Sequence, residues 1–236
     1  MRINSKKTKT MLVSKESKMQ NLKLGRENLE QVQNYNYLGV MINCEGKLRD
    51  EISQRIKKAM TVYNQLGKAF TSKQELSVKT KMAVFDTVFC PTLLYGCETW
   101  TLDSREHSRL QATEMKYLRR VVGKTKRDRI RNTLIRDQTK TKEIKTKIRI
   151  NQLRWFGHVN RMDDNRIAKS IYHAKTQGKR PKGRPRRKWD EEIKEALRER
   201  NLTFIEGSRK CRDRVEWRKI IAGTQAHTPK GRNGDI

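Results

Sequence analysis

Seven Lys and Arg fall within the twelve residues GKRPKGRPRRKW, Gly178 to Trp189, without an acidic residue among them. Pro181 and Pro185 exclude helix over the middle of the stretch, because proline lacks an N–H and restricts the residue before it. The expected result is an extended cationic strip in which Arg180, Lys182, Arg184, Arg186, Arg187 and Lys188 face phosphate; a nuclear-import signal or a solvated linker would use the same charges. A second group, Arg154, Trp155 and His158 in QLRWFGHVNRM, combines a guanidinium, an indole and an imidazole. Such planes stack on or hydrogen-bond to exposed bases. The alternative is a helix-surface histidine beside a core tryptophan.

Other chemistry is poorly supplied. Two-metal catalysis needs paired carboxylates, and the adjacent Asp163 and Asp164 follow HVNRM at an expected helix end, where a solvated loop is the simpler reading. Cys44, Cys90, Cys97 and Cys211 form no CxxC pair, so reduced thiols are expected, and Cys90, Cys97 and His107 fit no common zinc spacing. No metal or other cofactor is expected in this chain.

The 236 residues carry a formal charge of +30, which points to a polyanionic partner, RNA or DNA. Residues 1–100 hold 17 Lys+Arg against 9 Asp+Glu, and residues 101–236 hold 39 against 17. The positive field is therefore concentrated downstream. Hydrophobic residues make up 34% of the chain, which suggests several small packed pieces rather than one large core. The uncharged run TVFCPTLLYGC, Thr87 to Cys97, is far short of the roughly 20 apolar residues of a membrane span. No secretory signal is recognisable at the N-terminus, so an intracellular location, in nucleus or cytoplasm, is expected.

The elements that must position these groups are mostly helices, giving an α+β, predominantly α-helical class. KTKTMLVSK and NLKLGRENLEQVQNYNYLGVMIN read as three or four short strands with a turn at Gly25 to Asn28. Ile52, Ile56, Ala59, Tyr63, Leu66 and Phe70 then recur at helical spacing. A second helix over Leu76 to Leu94 puts Val78, Met82, Phe85, Phe89 and Leu93 on one face, with Pro91 kinking or ending it. The third, Ser104 to Val122, carries Leu110, Tyr117, Leu118 and Val121 and stops at Gly123.

Beyond Gly123 the highly charged run keeps Ile130, Leu134, Ile144 and Ile148 at helical spacing and is expected to be helical with solvated faces. There Asp128, Arg129, Arg131 and Asn132 suit helix-surface ion pairs or phosphate contacts. Further helices are expected at Ile148 to Met162, Trp189 to Arg200 and Ser208 to Ile221. The tail from Ala222 reads as disordered.

Four stretches together resemble the C-terminal part of the reverse transcriptases of non-LTR retrotransposons. INSKKTKTMLVS is similar to the fourth palm motif, with its Asn-x-x-Lys-Thr-Lys pattern, and YNYLGVMI to the Tyr-Leu-Gly primer grip. LLYGCETW, RDRIRN and LRWFGHVNRM…GRPRRKW are similar to the thumb and the region after it. The resemblance implies a palm remnant at 1–46, a helical thumb-like bundle at 47–124, a basic helical region at 125–222 with its extended strip at 176–188, and a tail at 223–236.

It also implies roles. Lys7 aligns with a lysine proposed to protonate departing pyrophosphate, and Tyr37, Leu38 and Gly39 with residues that bring backbone against a primer end; a core strand is the alternative for the latter three. PKGRPRR resembles an AT-hook, whose Gly-Arg-Pro core lies in the minor groove of A·T-rich DNA, with Lys182 where Arg is usual. The family's Tyr-x-Asp-Asp turn, which would hold Mg²⁺ in the complete polymerase, would lie upstream of Asn4. The expectation is a fragment that does not polymerise alone and works with the remaining palm, fingers and endonuclease domains; the alternatives are a stand-alone, non-enzymatic nucleic-acid-binding protein with an AT-hook-like strip and the non-functional product of a decayed element.

Overall fold

The computed structural model describes residues 3–4, 7–13, 19–174, 183 and 187–223. Most of them are helical, with strands only near the N-terminus. They divide into two units: Met1–Gly96 with Leu102–Ile144, and Cys97–Thr101 with Lys145–Ile236.

Among the described residues the first unit opens with six short strands in three ladders. β1 (Lys9–Thr10) pairs parallel with β4 (Glu30–Gln31), and β2 (Lys23–Leu24) pairs antiparallel with β3 (Glu27–Asn28) around Gly25. β5 (Asn34–Tyr37) and β6 (Val40–Asn43) form a hairpin whose two-residue turn, Leu38–Gly39, has φ of +48° and +83°. Positive φ at both positions matches the twist of a tight hairpin and favours glycine at one of them.

α1 (Arg49–Leu66) follows and buries Ile52, Ala59 and Tyr63, then loosens into a π turn at Gly67–Thr71. α2 (Val78–Val84) continues through a second π turn, Phe85–Phe89, into α3 (Cys90–Leu94). Pro91 is tolerated because the ladder has already widened there: the Cys90 N–H bonds Phe85 O, so the helix absorbs the ring where a strict α-helix would clash. Met82, Phe85, Phe89 and Leu93 are buried as expected, but Val78, at the helix start, is exposed.

α4 (Ser104–Val121) begins with a capping box, Asp103 and Glu106 bonding each other's backbone N–H, and buries Leu110, Tyr117, Leu118 and Val121. The Tyr117 ring lies 4.6 Å from that of Phe89 and 5.1 Å from that of Phe85. The expected continuous helix beyond Gly123 is absent. Residues 124–131 form a loop in which Asp128 accepts hydrogen bonds from the Thr125 N–H and hydroxyl at 2.6 and 2.7 Å. A side chain bonding its neighbouring backbone competes with helix formation. α5 (Asn132–Thr139) then buries Ile135 and leaves Leu134 exposed, one position from the expected register. Its Arg136 pairs at 2.6 Å with the fully buried Glu114 of α4.

The second unit is built on α6 (Ile144–Asn160). Phe156 is enclosed by Trp217, Phe204, Trp189 and Tyr172, with ring centroids 5.7–6.4 Å away. These come from α7 (Ile167–His173), α8 (Trp189–Arg198), α9 (Phe204–Lys210) and α10 (Arg214–Ala222). The expected single helix over Ser208 to Ile221 is two, because Asp213 accepts from the Val215 and Glu216 N–H groups and caps a new start. Trp217 donates to Leu153 O at 2.9 Å and brings its N–H edge against Gly157, where a Cβ would sit 2.2 Å from its ring nitrogen. Glycine inside α6 is explained by that close approach.

Candidate nucleic-acid interface

Helical spacing sorts α6 into two faces. Leu153, Phe156 and Gly157 turn inward, while Arg154 and His158 are exposed and Trp155 is half-buried. The Trp155 and His158 rings are 5.4 Å apart, and Arg154 donates to Asn151 Oδ1 at 3.3 Å. The three residues singled out in the sequence thus form one outward stripe, with the indole neither enclosed in the core nor free of it.

Arg161 extends the stripe by one further turn. It donates to Cys211 O at 2.5 Å, and its Nε is buried without a hydrogen-bond partner among the described residues. Burial and the neighbouring Arg214 and Arg218 lower its pKa. Arg214 and Arg218 are exposed at i and i+4 on α10, so the end of α6 and one face of α10 make a patch of like charge. Mutual repulsion at such a patch is relieved by an anion. The sequence places Arg161 beside Arg154 and His158, seven residues on from Arg154, without marking it as a contact, and it gives no sign of Arg214 and Arg218.

The basic strip ends differently from its expected open form. Arg187 Nε pairs with Glu192 at 2.8 Å and its NH2 with Glu195 at 2.6 Å, carboxylates supplied by the first turns of α8. Glu195 also pairs with the buried Arg149 at 2.8 Å. Arg187 is therefore occupied within the unit, whereas Lys188 is exposed. Arg180, Lys182, Arg184 and Arg186, with Pro181 and Pro185, lie outside the described residues.

In the first unit, Tyr37 and Leu38 are 57% and 74% exposed at the hairpin tip, which removes the core-strand alternative. The tip is held from behind. Tyr95 Oη donates to Leu38 O at 2.9 Å, Arg55 donates to Gly39 O, and Glu51 accepts the Met41 N–H at 2.6 Å. Glu51 and Arg55 are buried and pair with each other at 2.5 Å, and the Arg55 guanidinium lies 4.6 Å from the Tyr95 ring centroid. Lys7 is exposed in a turn closed by bonds from its N–H to Asn4.

Asp163 and Asp164 follow α6 in a turn, where Asp164 pairs with Lys169 at 2.8 Å. Among the described residues no group of three or more His, Cys, Asp and Glu could hold a metal ion. The Mg²⁺ that the polymerase resemblance implies thus has no fitting ligand set in them. No helix of the described residues is long and apolar enough to cross a membrane.

The chain is similar to a protein of Caenorhabditis elegans described as uncharacterized and transposon-derived. The two are 28% identical over 201 residues, covering 82% of this chain and 71% of that protein. The similarity suggests a transposon origin. No family model and no solved structure matches the chain.

Proposed function

We propose that this chain binds polynucleotide without acting on it, as the template-, primer- or target-holding end of a non-LTR retrotransposon reverse transcriptase. The observation that carries the reading is the outward stripe of α6, Arg154, Trp155 and His158, with half-buried Arg161 just past its end beside the exposed Arg214 and Arg218 of α10. It supplies planes for unpaired bases and cations for phosphates. The transposon-derived relative and the charge of +30 support the same reading. The latched, exposed hairpin tip is compatible with the primer-grip resemblance at Tyr37, Leu38 and Gly39.

Fluorescence anisotropy with labelled RNA and DNA tests it. Binding should weaken steeply with salt, because each neutralised phosphate releases counterions. Trp155→Ala with His158→Ala should weaken single-strand binding by roughly 1–3 kcal/mol for each stacked base lost. Unchanged affinity in that variant refutes the stripe. Replacing Arg184 and Arg186 by Ala at fixed salt tests the hook, which fails if affinity for A·T-rich duplex is unaltered. With Mg²⁺ and dNTPs the purified chain should extend no primer; product above a mock purification refutes a purely binding role.

A further inference from the structure

The first unit contains a cleft of about 970 Å³ between the end of α1 with its π turn, the start of α2, the end of α4 and the loop that follows. Six cations line it, Lys81, Lys116, Arg119, Arg120, Lys124 and Lys126, and no acidic residue does. None of the six pairs with a carboxylate among the described residues. The sequence reading had not separated them from the general excess of charge.

Their arrangement is built. Lys81 is 6% exposed, and its ammonium makes no ion pair or hydrogen bond among the described residues. Lys81 lines the cleft, so a positive charge that no carboxylate neutralises faces the space an anion could fill. Tyr63, itself buried, holds two more cations against its ring, with Lys116 Nζ at 5.2 Å and the Arg120 guanidinium carbon at 4.9 Å from the centroid. Arg120 also donates to Ser72 Oγ at 3.1 Å. Arg119 is oriented by Asn132 Oδ1 at 2.6 Å and Ile130 O at 3.2 Å, which leaves its buried Nε unpartnered. Lys124 and Lys126 are exposed in the loop that Asp128 closes.

We infer that this cleft binds consecutive phosphates of a polynucleotide backbone. The inference rests on the polynucleotide reading above and adds a second, separate point of attachment. The cations range from buried Lys81 to exposed Lys126, more positive charge than one phosphate neutralises, which favours a chain of phosphates over a single free one. Tyr63 is enclosed and already contacted by two cations, so the cleft offers no stacking platform for a base. Recognition there is independent of sequence.

The test is the salt dependence of binding to a fluorescein-labelled oligothymidylate of about 20 nucleotides, read by anisotropy, and to the matching duplex. The surface variant Lys124→Gln/Lys126→Gln should lower the slope of log K against log salt by about 1.4 for the single strand, or about 1.8 for the duplex. The first corresponds to roughly 25-fold weaker binding at about 0.1 M salt, taking about 1 M as the reference. The probe whose slope falls by its expected amount identifies the occupant. Lys81→Met should weaken binding without lowering the thermal transition, because it removes a cation that pairs with no carboxylate and keeps a side chain of similar length. Unchanged slopes and affinities in both variants, with a wild type that binds, would overturn the cleft and leave the α6 stripe standing. A wild type that binds neither probe would overturn both.

Discussion

Gly157→Ala sets two effects of known size against each other. Alanine is favoured over glycine inside a helix by about 1 kcal/mol, and by that measure the variant should be more stable. The added Cβ, however, would lie 2.2 Å from Nε1 and 2.6 Å from Cδ1 of Trp217, and 2.9 Å from the Arg161 guanidinium. Arg161 has a flexible end and can yield. Trp217 is 2% exposed, packs beside Phe156 and donates to Leu153 O, so it cannot move without opening the core. Overpacking costs about 1–3 kcal/mol, and stranding the buried indole N–H another 1–3 kcal/mol.

After the helix gain is deducted, the second unit should lose roughly 1–5 kcal/mol, which is about 4–40 °C of melting temperature for a domain of this size. All four tryptophans, Trp100, Trp155, Trp189 and Trp217, lie in that unit, so tryptophan fluorescence follows its unfolding selectively. Trp217→Phe, which removes the offending nitrogen, should cost less in the Gly157→Ala background than in the wild type. A melting temperature equal to or above that of the wild type, or strict additivity of the two substitutions, would refute the close-approach explanation of Gly157.

Other perturbations read different parts of the molecule. Arg136→Met leaves the fully buried Glu114 carboxylate without its guanidinium and should destabilise by about 3–5 kcal/mol in urea unfolding followed by circular dichroism; a loss below about 1 kcal/mol would contradict the pairing. At pH 8 a thiol reagent should modify half-buried Cys44 rapidly, while Cys97, whose thiol burial pushes up to about 12, reacts only after unfolding. Cys44→Ser should abolish the fast phase. The Thr203 N–H and hydroxyl hold Glu206 below its ordinary 4.5, and the Glu216 and Val215 N–H groups hold Asp213 below its ordinary 3.8. Groups depressed on folding stabilise above their ordinary values, so this contribution should be flat from pH 7 to about 5 and decline as pH falls below about 4.5. Asp213→Asn should make that decline shallower, and an unchanged acid profile would count against the cap.

What the sequence conveyed depended on whether a residue's surroundings were local. The apolar faces of α1, α3 and α4 followed from spacing alone, since Ile52, Ala59, Leu93, Leu110 and Tyr117 are buried through helical period. Arg154 and His158 were legible for the same reason. Glu51 and Arg55 were not: a carboxylate and a guanidinium at i and i+4 read as solvent-facing, yet both are buried because the hairpin turn supplies the groups they bond. The loop at 124–131 was misjudged as helix because Ile130 and Leu134 kept the spacing while Thr125 and Asp128 offered the backbone a competing bond. The cleft was invisible because Lys81, Arg120 and Lys126 converge only in space.

The hairpin latch separates what supports the tip from what the tip displays. Support comes through main-chain atoms alone, the carbonyls of Leu38 and Gly39 and the N–H of Met41, so it is indifferent to the identity of the side chains at Tyr37 and Leu38. Position 37 is free to vary without cost to the latch, whereas position 38, at φ +48°, is best filled by residues that adopt the left-handed conformation readily. A library of substitutions there would vary what the tip meets while its location stayed fixed.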